Sequence, residues 1–313
     1  MPQVARFSNL DDMADRIEKE EDSQSRTAIE VLKPGALTSP LIFASPHSGR
    51  DYPSDLLRNT RLDRHALRQS EDSYVDLLFD DAPRHGAPLL RALFPRAYVD
   101  VNRSRDELDP RMFVDDLPRG ADTRSSRVIA GLGVIPRIVA DGHDIYNRKL
   151  YYFDAKRRLK ICYDPYHQAL AELISSAQAA HGCAVVIDCH SMPSAGGAPF
   201  RPGEPNIDFV LGDRFGSSCA PLVTELVEEK LCGLGFEVAR NAPYAGGYVA
   251  SSYGRPKNGV HVLQIEINRS LYLDERRIAR TDGFEGLRKA MRALIERLTD
   301  LRSDDLWSVQ AAE

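Results

Sequence analysis

The chain of 313 residues has little cysteine, a single tryptophan and no long apolar run. Its five cysteines are odd in number and form no Cys-x-x-Cys pair, which argues against a disulfide framework or a cysteine-based zinc site. No stretch approaches the roughly 20 apolar residues that a membrane-spanning helix needs. The polar residues 1–22 also lack the apolar core of a signal peptide. We therefore expect a cytoplasmic protein with reduced thiols and no membrane association.

The sequence also lacks an excess of positive charge. Its net charge is −5, and acidic and basic residues are mixed along the chain, which argues against a nucleic-acid-binding surface. There is no internal repeat and no low-complexity linker. We therefore predict one domain over residues 1–313, with an N-terminal arm or helix at 1–25 and a polar tail at 301–313. The sequence gives no indication of oligomeric state.

Runs typical of strands alternate with segments of helical periodicity, which favours an α/β fold with a parallel or mixed sheet. Strands are predicted at 28–32, 41–45, 88–93, 97–101, 184–188, 207–211, 236–239 and 262–267. Helices are predicted at 63–82, 145–158, 165–181, 219–234 and 283–298. Residues 104–127 are rich in Arg, Asp, Pro and Gly and are predicted to form a long loop, of the kind that is usually functional or disordered.

Two histidines stand where predicted strands end. His47 follows the strand 41–45, and His190 follows the strand 184–188. Open α/β folds place their chemistry at the carboxyl ends of strands. A lone histidine there would be interpreted as a hydrogen-bonding cap, but two at equivalent positions favour metal ligation. Asp188 lies two residues before His190, on the same strand face, so it either orients that ring without touching the metal or caps the loop.

A hydrolytic zinc site needs three protein ligands and one open position. His65, His85 and His181 lie in polar surroundings at predicted helix ends, where surface placement is expected. Glu71 and Asp72 are stronger candidates, because they lie on the predicted helix that follows the first histidine. Asp72 is followed at i+4 by Asp76, and the alternative for that pair is a solvated acidic helix face. The local pattern does not choose between Glu71 and Asp72.

Glu266 lies inside an otherwise apolar strand. Burying even a neutral polar group without a partner costs about 2–7 kcal/mol, so this carboxylate must face a metal, a cation or a cavity. It would serve as a general base for an attacking water. The alternative is a structural ion pair with Arg269 or a neighbouring arginine.

Asn102 and Arg103 end a further predicted strand, at what should be the same edge of the sheet. A guanidinium group binds a carboxylate through two parallel hydrogen bonds, so Arg103 suits a small anionic substrate. Arg103 would equally well pair with Asp100 or Asp106.

The chain resembles the N-formylglutamate amidohydrolase family in six short segments that occur in the family's order and span most of the chain. They are 45–49 (SPHSG), 71–76 (EDSYVD), 98–103 (YVDVNR), 188–192 (DCHSM), 244–248 (YAGGY) and 264–268 (QIEIN). The resemblance implies a zinc carboxypeptidase-like fold, a single domain whose mixed, mostly parallel sheet has helices on both faces. It also implies one divalent metal, most simply zinc.

The family resemblance implies a role for each site residue. The metal would be held by His47, Asp72 and His190, with Glu266 as the general base. The sequence departs from the His-x-x-Glu pattern of carboxypeptidases at Arg50, so the third ligand must come from elsewhere in the chain.

The implied reaction is hydrolysis of an N-formyl or short N-acyl amino acid, with N-formyl-L-glutamate from histidine breakdown as the substrate. Its carboxylates would be bound by Asn102 and Arg103 with help from Arg50 or Arg137, under a cover formed by residues 243–254 that includes Tyr248. Three alternatives stay open: a hydrolase of another N-acyl amino acid, a cysteine nucleophile at position 189, and a ligand-binding protein without enzymatic activity.

Overall fold

The structure is a computed structural model that describes residues 27–139, 142–197 and 206–302, together with residues 304 and 306. The predicted arm at 1–25 lies outside the described residues, as does most of the tail at 301–313. No helix in the described ranges has the length and apolar character needed to cross a membrane.

Seven strands of the described chain form one sheet. They are β1 (Ile29–Leu32), β2 (Leu41–Ser45), β3 (Leu89–Ala92), β4 (Ala184–Met192), β5 (Phe209–Gly212), β6 (Val238–Arg240) and β7 (Val260–Asn268). Their order across the sheet is β1-β3-β2-β4-β7-β5-β6. The pairs β2–β3, β2–β4, β4–β7 and β5–β6 are parallel, whereas β1–β3 and β5–β7 are antiparallel. This confirms the predicted mixed, mostly parallel sheet.

Helices cover both faces of this sheet. They are α1 (Ser54–Asn59), α2 (Arg64–Arg68), α3 (Val75–Leu78), α4 (Ser126–Ile129), α5 (Tyr152–Arg158), α6 (Asp164–His181), α7 (Pro221–Gly233), α8 (Tyr248–Tyr253) and α9 (Gly283–Leu298). Alternate residues of β2 enter two different apolar clusters, Ile42 packing with the α6 side and Phe43 with the α7 and α9 side. Strands buried on both faces are expected to be continuously apolar, which is why β2 and β4 were readily recognised.

The helix predicted at 63–82 is interrupted. It forms only as α2 and α3, because Tyr74 adopts a left-handed conformation (φ 67°). The intervening loop is tied to the end of β2, where the Asp72 N–H donates to the His47 carbonyl oxygen (3.0 Å) and the Ser48 hydroxyl donates to the Asp72 carbonyl oxygen (2.9 Å). The interruption brings Asp72 to His47, which a continuous helix would not do.

Two further expectations about strands were wrong. Residues 97–101 form turns, beginning where the Tyr98 N–H donates to the Pro95 carbonyl oxygen (2.9 Å), and their apolar side chains are buried without strand pairing. Strand β4 does not stop at Asp188 but continues to Met192, so His190 lies within a strand and pairs in register with Glu266 of β7.

Candidate active site

The site lies at the carboxyl edge of the parallel strands β2, β4 and β7. A cavity of about 490 Å³ opens there, which is within the usual range for small-molecule sites. Its wall includes His47 from the end of β2, His190 from β4 and Glu266 from β7. Loops carrying residues 96–103, 127–138 and 243–247 complete the wall.

Three buried side chains converge in this cavity with the composition of a metal site. The ligand atoms of His47, Asp72 and His190 all lie within 4.8 Å of one another. One oxygen of Asp72, Oδ2, is 3.3 Å from His47 Nδ1 and 3.1 Å from His190 Nδ1. Buried polar atoms are normally hydrogen-bonded, yet His47 Nδ1 has no hydrogen-bond partner among the described residues. Two imidazole nitrogens and one carboxylate oxygen therefore form a group that can bind a metal ion.

The outer nitrogen of each histidine is held by an aspartate. His47 Nε2 is 2.7 Å from Asp100 Oδ1, and His190 Nε2 is 3.0 Å from Asp188 Oδ2. A carboxylate beside Nε2 favours the tautomer with the proton on that nitrogen, as around most metal-bound histidines. The atom of each ring that can bind a metal is then Nδ1, which faces Asp72. The position of Asp188 is the one that its spacing from His190 indicated. The sequence indicates Asp100 only as a partner of Arg103 and gives no sign of its contact with His47.

Electrostatics keep Asp100 ionised. Burial alone would raise its pKa, but Arg96, Arg103 and His47 together hold the pKa of the Asp100 carboxyl well below its usual range. The Arg96 Nε donates to Asp100 Oδ2 at 2.9 Å. An ionised Asp100 is a strong acceptor for His47 Nε2–H, so it fixes the orientation of that ring.

The second oxygen of Asp72 is occupied by protein donors. Oδ1 accepts from Arg269 Nη2 at 3.1 Å and from the Ser191 hydroxyl at 3.2 Å. Burial raises the pKa of Asp72, but the adjacent His190 and His47 outweigh that effect and hold the pKa well below the usual range. Arg269 therefore pairs with Asp72, and it does not form the ion pair with Glu266 that was the alternative from sequence.

Glu71 does not compete with Asp72 for the metal group. Its carboxylate accepts hydrogen bonds from the Tyr52 hydroxyl (2.6 Å) and the Ser73 hydroxyl (2.8 Å), and it pairs with Arg68 at 3.1 Å. These partners form a separate cluster, and Glu71 does not line the cavity. The structure thus brings Asp72, and not its neighbour, to the two histidines.

Glu266 lies beside His190 because β4 and β7 are parallel and these residues are in register. It lines the cavity and is only 8% exposed. The amide of Gln264 donates to Glu266 Oε1 at 2.8 Å, which orients the carboxyl group. Burial raises the pKa of Glu266 to about 7, despite the opposing effect of His190. A carboxyl group with this pKa can both accept and release a proton near neutral pH.

Arg103 lines the cavity, as expected. Its Nε donates to the Leu132 carbonyl oxygen (2.9 Å) and its Nη1 to the Asn102 carbonyl oxygen (2.8 Å), while Asp100 lies 3.7 Å from Nε. Burial lowers the pKa of Arg103 to about 10, although Asp100 opposes that effect. The guanidinium group is held by backbone oxygens, with only a long contact to a protein carboxylate.

Asn102 also lines the cavity, but its amide is used by the protein. Its Oδ1 accepts from the Val249 N–H (2.8 Å) at the start of α8. Its Nδ2 lies 3.1 Å from His190 Nε2 and 3.4 Å from Asp188 Oδ2. Asn102 thus joins the segment over the cavity to the histidine below it, which is a different role from the substrate binding that we expected.

Two arginines expected at the substrate lie elsewhere. Arg50 pairs with Asp76 at 2.6 Å, and Arg137 pairs with Asp109 at 3.1 Å. Neither lines the cavity. Each guanidinium group has a protein carboxylate within reach, which removes the reason to assign it to a substrate.

The tyrosine that faces the cavity is also a different one. Tyr244 lines it, whereas Tyr248 begins α8 and its ring packs against His167, with ring centroids 5.7 Å apart. The segment 243–254 does border the site, as expected, but through Tyr244, Gly246 and the neighbouring backbone.

Several cavity residues had no clear signal in the sequence. They are Arg96, Arg127, Arg269, Tyr244 and Gln264. Gln264 was detectable in principle, because it lies two residues before Glu266 on the same strand face. The arginines come from turns and from helices of three or four residues, which are too short for a periodicity to indicate the direction of a side chain.

Comparison with known proteins points to one family. The family model described as N-formylglutamate amidohydrolase matches residues 39–273. A protein named N-formylglutamate deformylase from Pseudomonas aeruginosa is 28% identical over 264 residues, which cover 83% of this chain and 92% of that protein. A protein of the same name from Pseudomonas putida is 28% identical over 240 residues, which cover 75% of this chain and 82% of that protein.

Solved structures agree as well. The crystal structure of N-formylglutamate amidohydrolase from Ralstonia eutropha JMP134 is 36% identical, with a TM-score of 0.83, and the match covers 88% of this chain and 98% of that one. A structure from Agrobacterium tumefaciens at 19% identity and a TM-score of 0.62 shares the fold, over 88% of this chain and 94% of that one. The chain therefore belongs to the N-formylglutamate amidohydrolase family.

Proposed function

We propose that this protein hydrolyses N-formyl-L-glutamate to formate and L-glutamate, using one zinc ion held by His47, Asp72 and His190. The observation that carries the proposal is the buried His-Asp-His group next to a carboxyl group with a pKa of about 7, in one cavity. The relatives named above are called deformylases and amidohydrolases of this substrate. The free thiols of all five cysteines fit the cytoplasm as the place of action.

The residues present fit a zinc ion. Zinc favours imidazole nitrogen and carboxylate oxygen, and catalytic sites combine three protein ligands with one open position. The unpartnered His47 Nδ1 and the aspartates behind both rings meet that requirement. The bound ion would polarise the formyl oxygen and lower the pKa of an attached water towards about 7.

Glu266 would carry the proton. In its ionised form it accepts a proton from the attacking water as the new C–O bond forms at the formyl carbon. It then delivers that proton to the amide nitrogen as the C–N bond breaks, so that formate and a free amino group leave. Gln264, which donates to Glu266 Oε1, keeps the carboxyl group oriented during both transfers.

Arg103 is the group that we assign to the substrate's α-carboxylate. It faces the cavity, and its backbone contacts fix the guanidinium group without neutralising its charge. The cavity thus suits a small anionic substrate better than a nucleic acid or a membrane surface.

The rival functions predict different results. A hydrolase of another N-acyl amino acid would keep the metal residues and rank N-formyl-L-glutamate low in a substrate panel. A binding protein would take up no metal. Cysteine chemistry is disfavoured, because Cys189 is packed in the apolar cluster on the opposite face from His190, and burial raises its pKa well above the usual range.

We expect activity to depend on a bound metal. Removing the metal with a chelator should abolish formate release from N-formyl-L-glutamate, and adding one equivalent of zinc should restore it. Metal content per chain and formate production are the two measurements. Full activity in protein with less than about a tenth of an equivalent of metal would contradict the proposal.

We also expect an acidic limb in the pH profile. Glu266 must be ionised to accept a proton, so kcat/KM should fall as pH drops through its pKa, which burial raises to about 7. A bound cation nearby favours the ionised form, so the limb should lie at or slightly below pH 7. A profile of kcat/KM that stays flat from pH 7 down to pH 5, in protein that keeps its metal, would exclude Glu266 as the base.

A further inference from the structure

The cavity carries more positive charge than its own acids neutralise. In the described part of the chain the arginines that line it are Arg96, Arg103, Arg127 and Arg269. Arg96 is paired with Asp100 at 2.9 Å, and Arg269 is paired with Asp72 at 3.1 Å. Arg103 is held mainly by backbone oxygens.

Arg127 differs from the other three. None of the described residues forms a hydrogen bond or an ion pair with its guanidinium group. It is half-buried, and it lies close enough to Arg103 to contribute to the lowered pKa of that residue. Arg103 lies 3.7 Å from Asp100 but donates no hydrogen bond to a carboxylate of the described residues. Two neighbouring cations that face one cavity repel each other, so this pair favours an anion between or beside them.

The backbone around Arg127 is well anchored. It belongs to α4, whose start is capped by the Ser125 hydroxyl accepting from the Val128 N–H (3.2 Å). At the other end Arg111 Nη2 donates to the carbonyl oxygens of Val128 (3.1 Å) and Ile129 (2.9 Å), and Asp109 holds that guanidinium in turn (2.7 Å). A short turn fixed at both ends presents a side chain at little entropic cost, which favours binding.

We propose that Arg127 binds the side-chain carboxylate of the substrate and thereby sets a preference for acidic N-formyl amino acids. This inference rests on the proposed function, which already uses Arg103 for the α-carboxylate. The two cavity arginines that donate no hydrogen bond to a carboxylate of the described residues then match the two carboxylates of N-formyl-L-glutamate. The long loop at 104–127, whose role the sequence left open, thus contributes the specificity residue.

The test compares two substrates of nearly the same shape. N-formyl-L-glutamate carries the second charge, and N-formyl-L-glutamine does not. In an Arg127→Gln variant we expect kcat/KM for the glutamate substrate to fall on the order of 30-fold, mainly through KM, because a hydrogen bond to a charged group is lost. With the glutamine substrate it should stay within about threefold. Arg127→Lys should recover part of the loss, because it keeps the charge.

Arg124→Gln is the matched control, since Arg124 is exposed on the same segment and does not line the cavity. It should leave both substrates unchanged. An equal loss on both substrates in Arg127→Gln, or an unchanged ratio between them, overturns the inference.

A binding measurement separates this inference from the proposed function. We expect calorimetry on zinc-loaded protein to show that Arg127→Gln weakens binding of the product L-glutamate much more than binding of L-glutamine. One outcome is that Arg127→Gln weakens L-glutamate binding selectively while the wild-type protein hydrolyses neither formyl amino acid. In that case the proposed function fails and the inference stands. If turnover is normal and Arg127 has no effect on either amino acid, the inference fails alone.

Discussion

Replacing Glu266 by glutamine is expected to lower kcat by about 10²–10⁴-fold while metal content stays at one ion per chain, because a positioned general base typically contributes that much. The change preserves size and keeps an oxygen that can accept the hydrogen bond from Gln264, so the site should stay folded. It removes the only property that the proposed role needs, which is the ability to take up a proton from water. Formate release and metal analysis on the same preparation measure both quantities.

The outcome distinguishes three roles for Glu266. Loss of metal in the glutamine variant would make it a ligand, and loss of folded protein would make it a structural group. Retention of wild-type kcat with full metal content would remove it from the reaction altogether. Glu275→Gln is a useful control, since Glu275 lies 3.8 Å from Arg269 yet does not line the cavity. We expect that variant to keep kcat within about twofold.

The parts of the site that lie on strands were accessible from the sequence. His190 and Glu266 are on buried strands whose alternation fixes which face each side chain occupies. His47 directly follows β2, where the chain must leave the sheet edge. Each of these three residues is a polar group in or beside an apolar run, and burying such a group without function is costly. That contrast between a polar residue and its apolar neighbours can be read from the sequence alone.

The residues supplied by turns were not accessible in the same way. Arg96 lies in a turn and Arg127 in the four-residue helix α4, and both line the cavity. Neither element is long enough for a periodicity to indicate where a side chain faces, and Arg137 meets Asp109 instead. Whether an arginine meets a protein carboxylate or an open cavity depends on contacts between distant segments. Sequence spacing carries no information about those contacts, so the expected substrate arginines were partly misplaced.

The length of β4 shows how a small error in an element changes the interpretation of a site. With the strand ending at Asp188, His190 would lie on a loop, free to adopt several positions. Because β4 runs to Met192 and pairs with β7 throughout, His190 is fixed beside Glu266, and Asp188 beside Gln264. The residues proposed as a metal ligand and as the base, His190 and Glu266, therefore lie on one pair of strands together with Asp188 and Gln264. Sites on strands hold such geometry more accurately than sites on loops.

Replacing Asp72 by asparagine is expected to remove the metal and, with it, the activity. The neutral amide loses the charge that both histidines and Arg269 share, and it leaves that arginine buried without its carboxylate. Changing a group that merely supports a ligand costs about 10–100-fold in metal affinity, so the loss of a charged ligand should exceed that range. Metal content after dialysis, together with kcat at saturating zinc, measures the effect.

Glu71→Gln is the matched control for Asp72, because it alters the adjacent carboxylate by the same chemistry. The Tyr52 and Ser73 hydroxyls donate to different oxygens of Glu71, and glutamine keeps one of those two acceptors. We expect the fold to survive with a loss of stability from the other hydroxyl and from the ion pair with Arg68. We expect this variant to keep its metal and its kcat. The two acids are neighbours in the chain, but only Asp72 reaches His47 and His190. If the Glu71 variant lost its metal and the Asp72 variant kept it, the third ligand would have been assigned to the wrong residue.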